Sequence, residues 1–455
     1  MEQEVVIFNA SLPLQSEETL YTLAIGGGKW TSVTAQTGEV EAPEAVCLDK
    51  WNGSSAEARL LLDAKGKIVL PGFVDAHMHL DKAFSLPHVG NVSGTLGEAV
   101  VNYAAAAPRF SKEEIKARIM RSALQSISYG TVVLRSHLDF HIKHGKDVAM
   151  RTIEAALEVK EELKPYAELQ LFPLLPYFEL SEAALDTAEE SVAMGVTGLG
   201  GAPHLSPNPA PDIDRLFALA DKLGCPVDLH TDESDDPNQR TAIHIARRAM
   251  EYGWRGKVTA GHLCSLAAMK DEDAAMIIGL MAEAGMGAVT LPGANLYLQG
   301  RHDAFPVRRG VTRVKELLAA GIPLAAASDN MHDPFHPFGR GDLLLIGLVT
   351  AYAAHMGSPA EMREVLRMIT EYPARVTGAD GYGILPGNPA HFVALDARTP
   401  EELLTMLPER RWVWRGGTCL KAAPAKEKWS SALLQGYWED SCERVDFVQK
   451  RALTL

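Results

Sequence analysis

Short apolar runs recur along the middle of this chain, separated by segments whose apolar residues fall at helical spacing. The runs are IVLPGFVDAHMH (68–79), TVVLRSHLD (131–139), ELQLFPLL (168–175), GVTGLGGA (195–202), CPVDLHT (225–231), KVTAGHL (257–263), GAVTLPG (287–293) and IPLAAASDN (322–330). Each has the length of a buried strand. The intervening stretches, such as SKEEIKARIMRSALQSISYG (111–130) and DVAMRTIEAALEVKEEL (147–163), open on Ser or Asp ahead of acidic residues, as helix N-termini do. Eight strands alternating with helices predict an α/β fold of the (β/α)8 TIM-type barrel class. A doubly wound open sheet is the alternative, but no GxGxxG or P-loop follows an early strand.

Both chain ends have a different pattern. VVIFNA (5–10), TLAIGGGKW (22–30) and ARLLLDAKGKIVL (58–70) alternate β-prone runs with Gly-rich turns, and HFVALDA (391–397) and RRWVWRGGTCL (410–420) share that character. We therefore expect a small β-sandwich assembled from both ends, residues 1–68 and 386–425, bracketing a barrel over 69–385. The tail, 426–455, reads as helical. Its Trp429, Leu433, Leu434, Tyr437 and Trp438 are available for docking or a subunit contact.

Composition narrows the function class. The 455 residues carry a formal charge of −14, which argues against nucleic acid or an anionic membrane, since both demand clustered Lys and Arg. A small-molecule partner is expected instead. The start MEQEVVIFNA lacks the basic segment of a signal peptide, and the longest apolar run, 343–354, is too short to span a bilayer. The five cysteines form no CxxC and no even framework, so a reducing cytoplasm fits best.

In a barrel, side chains at the C-terminal ends of strands build the active site. His77 and His79 end the first strand and, two residues apart, point the same way. His137 and Asp139 end the second strand, His230 the fifth, His262 the sixth and Asp329 the eighth. His77, His79, His230 and Asp329 offer three neutral imidazoles and one carboxylate. That donor set suits one divalent ion, Zn2+ or Fe2+, with room for a water. Such an ion brings the pKa of water from about 15.7 toward about 7.

Glu233, in DLHTDESDD, leaves the same strand as His230 and could shuttle a proton from water to a nitrogen leaving group. A solvated acidic loop is the bland reading of equal weight. His262 could hydrogen-bond the water or the oxyanion, or serve as a further ligand. His137 and Asp139 could line the pocket or form a buried structural pair. His204 and Asn295, at or just past strands four and seven, are candidate substrate contacts. Trp254 and the segment HDPFHPFGRGD (332–342) read as packing and loop scaffold.

PGFVDAHMHLDKAF, RSHLDFH, DLHTDESDD, TAGHLCSL, NLYLQGRHDAFPVRRGVTRVKELLAAGI, SDNMHDPFHPFGRGDLL and GYGILPGNPAHFVALDA together resemble the cytosine deaminase-like branch of the amidohydrolase superfamily. The resemblance runs to about residue 420. It implies a mononuclear metal barrel, with His77, His79, His230 and Asp329 as ligands, Glu233 as the proton-transfer acid and His262 as the water-orienting histidine. It also implies a β-sandwich from the two ends and a homo-oligomer. The expected activity is hydrolytic deamination of an amino-substituted nitrogen heterocycle (pyrimidine, triazine or pterin-like). Cleavage of an N-alkylamino or cyclic amide substrate by the same site is the alternative, and a non-catalytic metal-binding barrel a remote one.

Three departures bear on the substrate. Where cytosine deaminases place a glutamine just after the third-strand Phe-Pro, this chain has Leu174, which offers nothing to an amide edge. A buried amide left unpaired costs on the order of 1 to 3 kcal/mol. Asn330 stands where an acid often follows the metal-ligating aspartate. Lys82, in HLDKAF, is similar to the N-isopropylammelide amidohydrolases and favours an anionic or oxo-rich ligand, unless it is a loop lysine facing solvent.

Overall fold

The computed structural model describes residues 3–55, 57–175, 180–424 and 428–444, and divides them between two compact units. The larger, residues 74–356 and 368–380, is the barrel. Its strands are β1 (Phe73–Met78), β2 (Thr131–Asp139), β3 (Glu168–Leu174), β4 (Leu199–Gly201), β5 (Val227–Thr231), β6 (Val258–His262), β7 (Gly287–Thr290) and β8 (Leu324–Ala326). They lie side by side in chain order as one eight-stranded sheet. A parallel bridge between Met78 and Asp329 brings β1 beside the end of β8, and the Asp329 N–H donates to the His77 carbonyl at 2.9 Å. Every expected strand is present. Apart from Glu168 at the start of β3, every residue in them is buried, as strands covered on both faces require.

The helices between strands follow the sequence cues with one difference. Lys112–Ser128 begins on a capping box of Ser111 and Glu114. Lys146–Leu163 begins on Gly145, at φ 110°, with Asp147 inside the first turn instead of at the cap. Gly145 takes a backbone angle that a side chain disfavours, so the turn selected glycine over a capping side chain.

The smaller unit comprises residues 1–73, 357–367 and 381–455 and contains a nine-stranded sheet drawn from both chain ends. Glu4–Ser11 pairs with Leu20–Gly26, which pairs in turn with Lys29–Ala35; on the other side Ile68–Pro71, Phe392–Leu395, Arg411–Arg415 and Thr418–Lys421 follow in order. Two hairpins turn on Gly27-Gly28 and Gly416-Gly417, all four at positive φ, the combination that two-residue turns with the native strand twist demand. Trp414 stacks on Phe392 at 4.6 Å and on Trp51 at 5.1 Å within the apolar core.

The run at 68–79 is two strands, not one. Ile68–Pro71 pairs antiparallel with Phe392–Leu395, and β1 starts after Gly72. Pro71, without an N–H, ends the first ladder. In the tail, Ala432–Arg444 is helical and leaves Leu433, Tyr437 and Trp438 at least half exposed; residues 445–455 lie outside the described part.

Candidate active site

Successive strand ends bring the expected ligands together. The Nε2 atoms of His77 and His79 stand 3.2 Å and 3.1 Å from Nε2 of His230, and 3.6 Å and 3.3 Å from Oδ1 of Asp329. Donor atoms about 2.0–2.2 Å from one tetrahedral ion are about 3.3–3.6 Å apart, so this spacing is that of a ligand shell. Asp329 Oδ1 is fully buried and has no hydrogen-bond partner among the described residues, an orphan that a cation would satisfy. The residues therefore fit a divalent metal ion. Burial and the neighbouring imidazoles hold His77 and His230 well below the ordinary histidine value, so both imidazoles are neutral. Burial raises the Asp329 carboxyl, but His79 and the other facing imidazoles outweigh it and leave the group below its usual range.

The backbone at these ends is unusual. Asp329, His262 and Asp232 have φ of 59°, 67° and 50°, angles that cost side-chain-bearing residues energy and persist only when their surroundings fix them. For Asp232 the fixing contacts are visible: its carboxylate accepts from Thr241 N and Oγ1 at 2.8 Å and 2.6 Å, and from Ala242 N at 3.1 Å. That anchors the loop carrying Glu233 to the start of the Thr241–Glu251 helix. Two glycines make room for imidazoles: a Cβ at Gly261 would lie 3.2 Å from the His77 ring, and one at Gly200 would lie 3.2 Å from His137 Nδ1.

Glu233 is buried, with Oε1 3.4 Å from His262 Nδ1. Burial first, and the Asp329 charge second, push its carboxyl well above the ordinary value. The acidic-loop reading fails because the side chain is inside. Burial lowers His262 to about 4. Its Nδ1 is 3.0 Å from the Asn295 amide nitrogen, while its Nε2 is buried without a partner among the described residues.

These groups share a pocket of about 400 Å³, counting space open to solvent. Leu96, Val100, Leu174, Leu298 and Phe335 form apolar walls, and Lys82 and Asn330 join His79, His230, Glu233, His262 and Asp329 on the polar side. Lys82 is not a solvent-facing loop residue. It is fully buried, 3.0 Å from Asp139 Oδ1, with Nζ 4.3 Å from the Phe335 ring centre. Burial disfavours its charge, but Asp139, Asp81 and Asp333 more than restore it. Asp139, which sequence alone left between pocket and structure, is thereby held an anion.

The structure moves other candidates back from the pocket. His204 Nδ1 bonds the His230 carbonyl at 3.1 Å, and Asn295 supports His262, so neither lines the cavity. Both sit on short helical turns just past their strands, Pro203–Leu205 and Pro292–Leu298, which aim them at a neighbouring strand end. Asn330 lines the wall with its amide donating to Asp333 at 2.8 Å. The 332–342 segment does more than scaffold, since Phe335 is a pocket wall. Trp254 is packing, stacked on Phe217 at 5.3 Å. His137 lies 4.1 Å, ring to ring, from His77, and its Nε2 is 3.6 Å from Asp228 Oδ1.

Sequence reasoning missed the layer below. Arg135 donates to Asp228 at 2.8 Å and to Gln170 at 2.8 Å and 3.0 Å, all three buried in the barrel interior. The signal was present: Arg135 and Asp228 each sit two residues before an inward histidine.

A closed parallel barrel with a His/Asp cluster that fits a cation and a buried carboxyl beside it at its C-terminal face defines a metal-dependent hydrolase class. The chain belongs to the amidohydrolase family, whose model (Amidohydro_3) matches residues 61–142 and 140–420, and it is a hydrolase of C–N bonds. It is similar to a pterin deaminase of Rhizobium rhizogenes (34% identity, 78% of this chain and 81% of the relative). It is also similar to the N-isopropylammelide isopropyl amidohydrolase of Pseudomonas sp. strain ADP (29%, 78% and 86%). Among solved structures, 5-methylcytosine deaminase from Klebsiella pneumoniae liganded with 5-fluorocytosine superimposes with a TM-score of 0.83 at 27% identity, over 93% of this chain and 98% of that one.

Proposed function

We propose that this chain is a hydrolytic deaminase of amino-substituted nitrogen heterocycles that carry an oxo group. The observation that carries the reading is Glu233: a buried carboxyl held well above its ordinary value beside the His77, His79, His230 and Asp329 cluster, in the same pocket as a buried lysine. Metal binding alone needs no such acid. The resemblance to a pterin deaminase and to a 5-methylcytosine deaminase supports the same chemistry.

His77, His79, His230 and Asp329 would hold one divalent ion, Zn2+ or Fe2+. Bound there, it supplies a Lewis acid that makes water nucleophilic at neutral pH. Glu233 protonates a ring nitrogen as water oxygen adds to the adjacent carbon, and Asp329, an anion, takes the water proton. Glu233 then takes the proton of the added hydroxyl and passes it to the amino nitrogen, the C–N bond breaks as the oxygen becomes a carbonyl, ammonia leaves, and the proton on Asp329 returns to Glu233. His262 hydrogen-bonds the incoming oxygen. Lys82 and Asn330 face the ring substituents, and Leu174 and Phe335 bound the ring.

A second reading, release of an alkylamine, is favoured by the apolar wall of Leu96, Val100 and Leu298, which would accept an N-alkyl group, and by the ammelide relative. Small heterocycles are the expected partners of an acidic cytoplasmic enzyme, and the exposed apolar side chains of the Ala432–Arg444 helix fit a homo-oligomer contact. Aminopterins, aminopyrimidines, aminotriazines and their N-alkyl forms, assayed for ammonia against amine, separate the readings. Glu233→Gln should keep its metal by elemental analysis while kcat falls by about 10²–10⁴-fold. Near wild-type turnover in that variant refutes the assigned role.

A further inference from the structure

We propose that Asn295 is a positioning residue that fixes the tautomer of His262, so that the ring presents an N–H, not a lone pair, to the reacting oxygen. The inference rests on the reading of the pocket as a hydrolytic site, and it concerns a residue that does not touch the cavity.

Asn295 is completely buried on the Pro292–Leu298 turn, and its amide nitrogen is 3.0 Å from His262 Nδ1. An amide N–H2 only donates, so the atom it meets must be a lone pair. A neutral imidazole carries one N–H, which then resides on Nε2. That nitrogen is buried and has no partner among the described residues. In the reverse amide orientation Asn295 Oδ1 would accept from Nδ1–H, and Nε2 would become an acceptor. The surroundings of Nδ1 favour the orientation seen. The other neighbour of Nδ1 is Glu233 Oε1, at 3.4 Å, too long for a hydrogen bond. A carboxylate there would pull a proton onto Nδ1; the protonated carboxyl that donates to substrate does not. The tautomer set by Asn295 and the acid form of Glu233 are thus mutually consistent.

Asparagine does here what aspartate cannot. Asn295→Asp replaces the donor by an acceptor, forces the proton onto Nδ1 and removes the donor from the site. Loss of one positioned donor to a developing oxyanion costs about 10²–10³ in kcat. Asn295→Ala removes the bond without imposing the opposite tautomer, and should fall less.

The test uses zinc-loaded enzyme labelled with ¹⁵N-histidine. His262 should show a pyridine-like Nδ1 and a pyrrole-like Nε2 in the wild type, and the reverse in Asn295→Asp. For the most rapidly hydrolysed heterocycle of the panel, Asn295→Asp should lose at least tenfold more kcat than Asn295→Ala, with KM within about threefold of wild type. A wild-type Nδ1–H tautomer overturns the inference, as does an aspartate variant no worse than the alanine one. The wild-type spectrum decides even if the aspartate variant does not fold. It also decides if no heterocycle is turned over, an outcome that would count against the functional reading separately.

Discussion

Replacing Lys82 by methionine tests the electrostatics on which the pocket depends. The Lys82 ammonium and Asp139 carboxylate are 2% and 3% exposed and 3.0 Å apart, which at an effective dielectric of about 20 is an attraction of about 5 kcal/mol. Methionine conserves much of the volume beside Phe335 and removes the charge. The variant does not lose the full 5 kcal/mol, because Asp139 can escape by taking a proton. From an unfolded value near 3.9, that escape costs at most about 4 kcal/mol at pH 7 and about 1.5 kcal/mol at pH 5. The sign follows. In the wild type the Asp139 carboxyl is depressed, so its stabilisation is full above the unfolded value and fades as pH falls through the folded one. In the variant burial raises the same carboxyl, so stability is lost as pH rises from about 4 through the new value. We therefore expect Lys82→Met to cost about 3–4 kcal/mol at pH 7 and no more than about 2 at pH 5, with Lys82→Met/Asp139→Asn recovering most of the loss. Urea unfolding of the four proteins of the cycle at both pH values measures this. A gap that is the same at pH 5 and pH 7, or below about 1 kcal/mol at pH 7, refutes the claim that Lys82 keeps Asp139 ionised.

Two further substitutions probe separate walls of the site. Gly261→Ala sets a methyl 3.2 Å from the His77 ring without backbone strain and should displace that ligand, weakening metal affinity by about 10–100-fold in competition with a chromophoric chelator; unchanged affinity would show that the ring has slack. Leu174→Gln puts an amide on the pocket wall and should shift relative kcat/KM by tenfold or more toward heterocycles presenting a ring amide edge, at about 1–3 kcal/mol of stability without substrate. An unaltered preference order would mean that position 174 does not contact the ring.

The eight strands and the convergence of His77, His79, His230 and Asp329 were legible because both depend on short-range periodicity. An inward side chain every second residue, at the end of an apolar run, leaves little freedom about where it points. Glu233 was legible only in part: its spacing from His230 put it at the right loop, but its burial depends on Asp232 being tied to the helix at Thr241, a contact made nine residues away and invisible to periodicity. Lys82 has the same history, since its partners Asp139 and Asp333 come from other strand ends. His204 and Asn295 were assigned to the substrate because they follow strands; the short turns that carry them point sideways, a property of local helix geometry that strand counting does not contain. Pro71-Gly72 was the readable sign that the 68–79 run would divide.

The burial of so many ionisable groups follows from stacking alternate residues of the strands. On β2 the inward positions are Arg135, His137 and Asp139, and on β5 Asp228 and His230. The lowest level is a closed ion pair, Arg135 with Asp228, and the highest another, Asp139 with Lys82. Between them lie the imidazoles, of which His77, His137 and His230 are neutral because burial and mutual proximity penalise charge. A neutral, electron-rich layer between two buried ion pairs is where a divalent cation gains most from leaving water, since imidazoles that are already neutral lose no proton to bind it. The ion pairs above and below therefore act on the chemistry indirectly: they hold neighbouring charges in fixed places, with Asp329 the pocket-lining carboxylate held low beside the imidazoles and Glu233 the pocket-lining carboxyl held high.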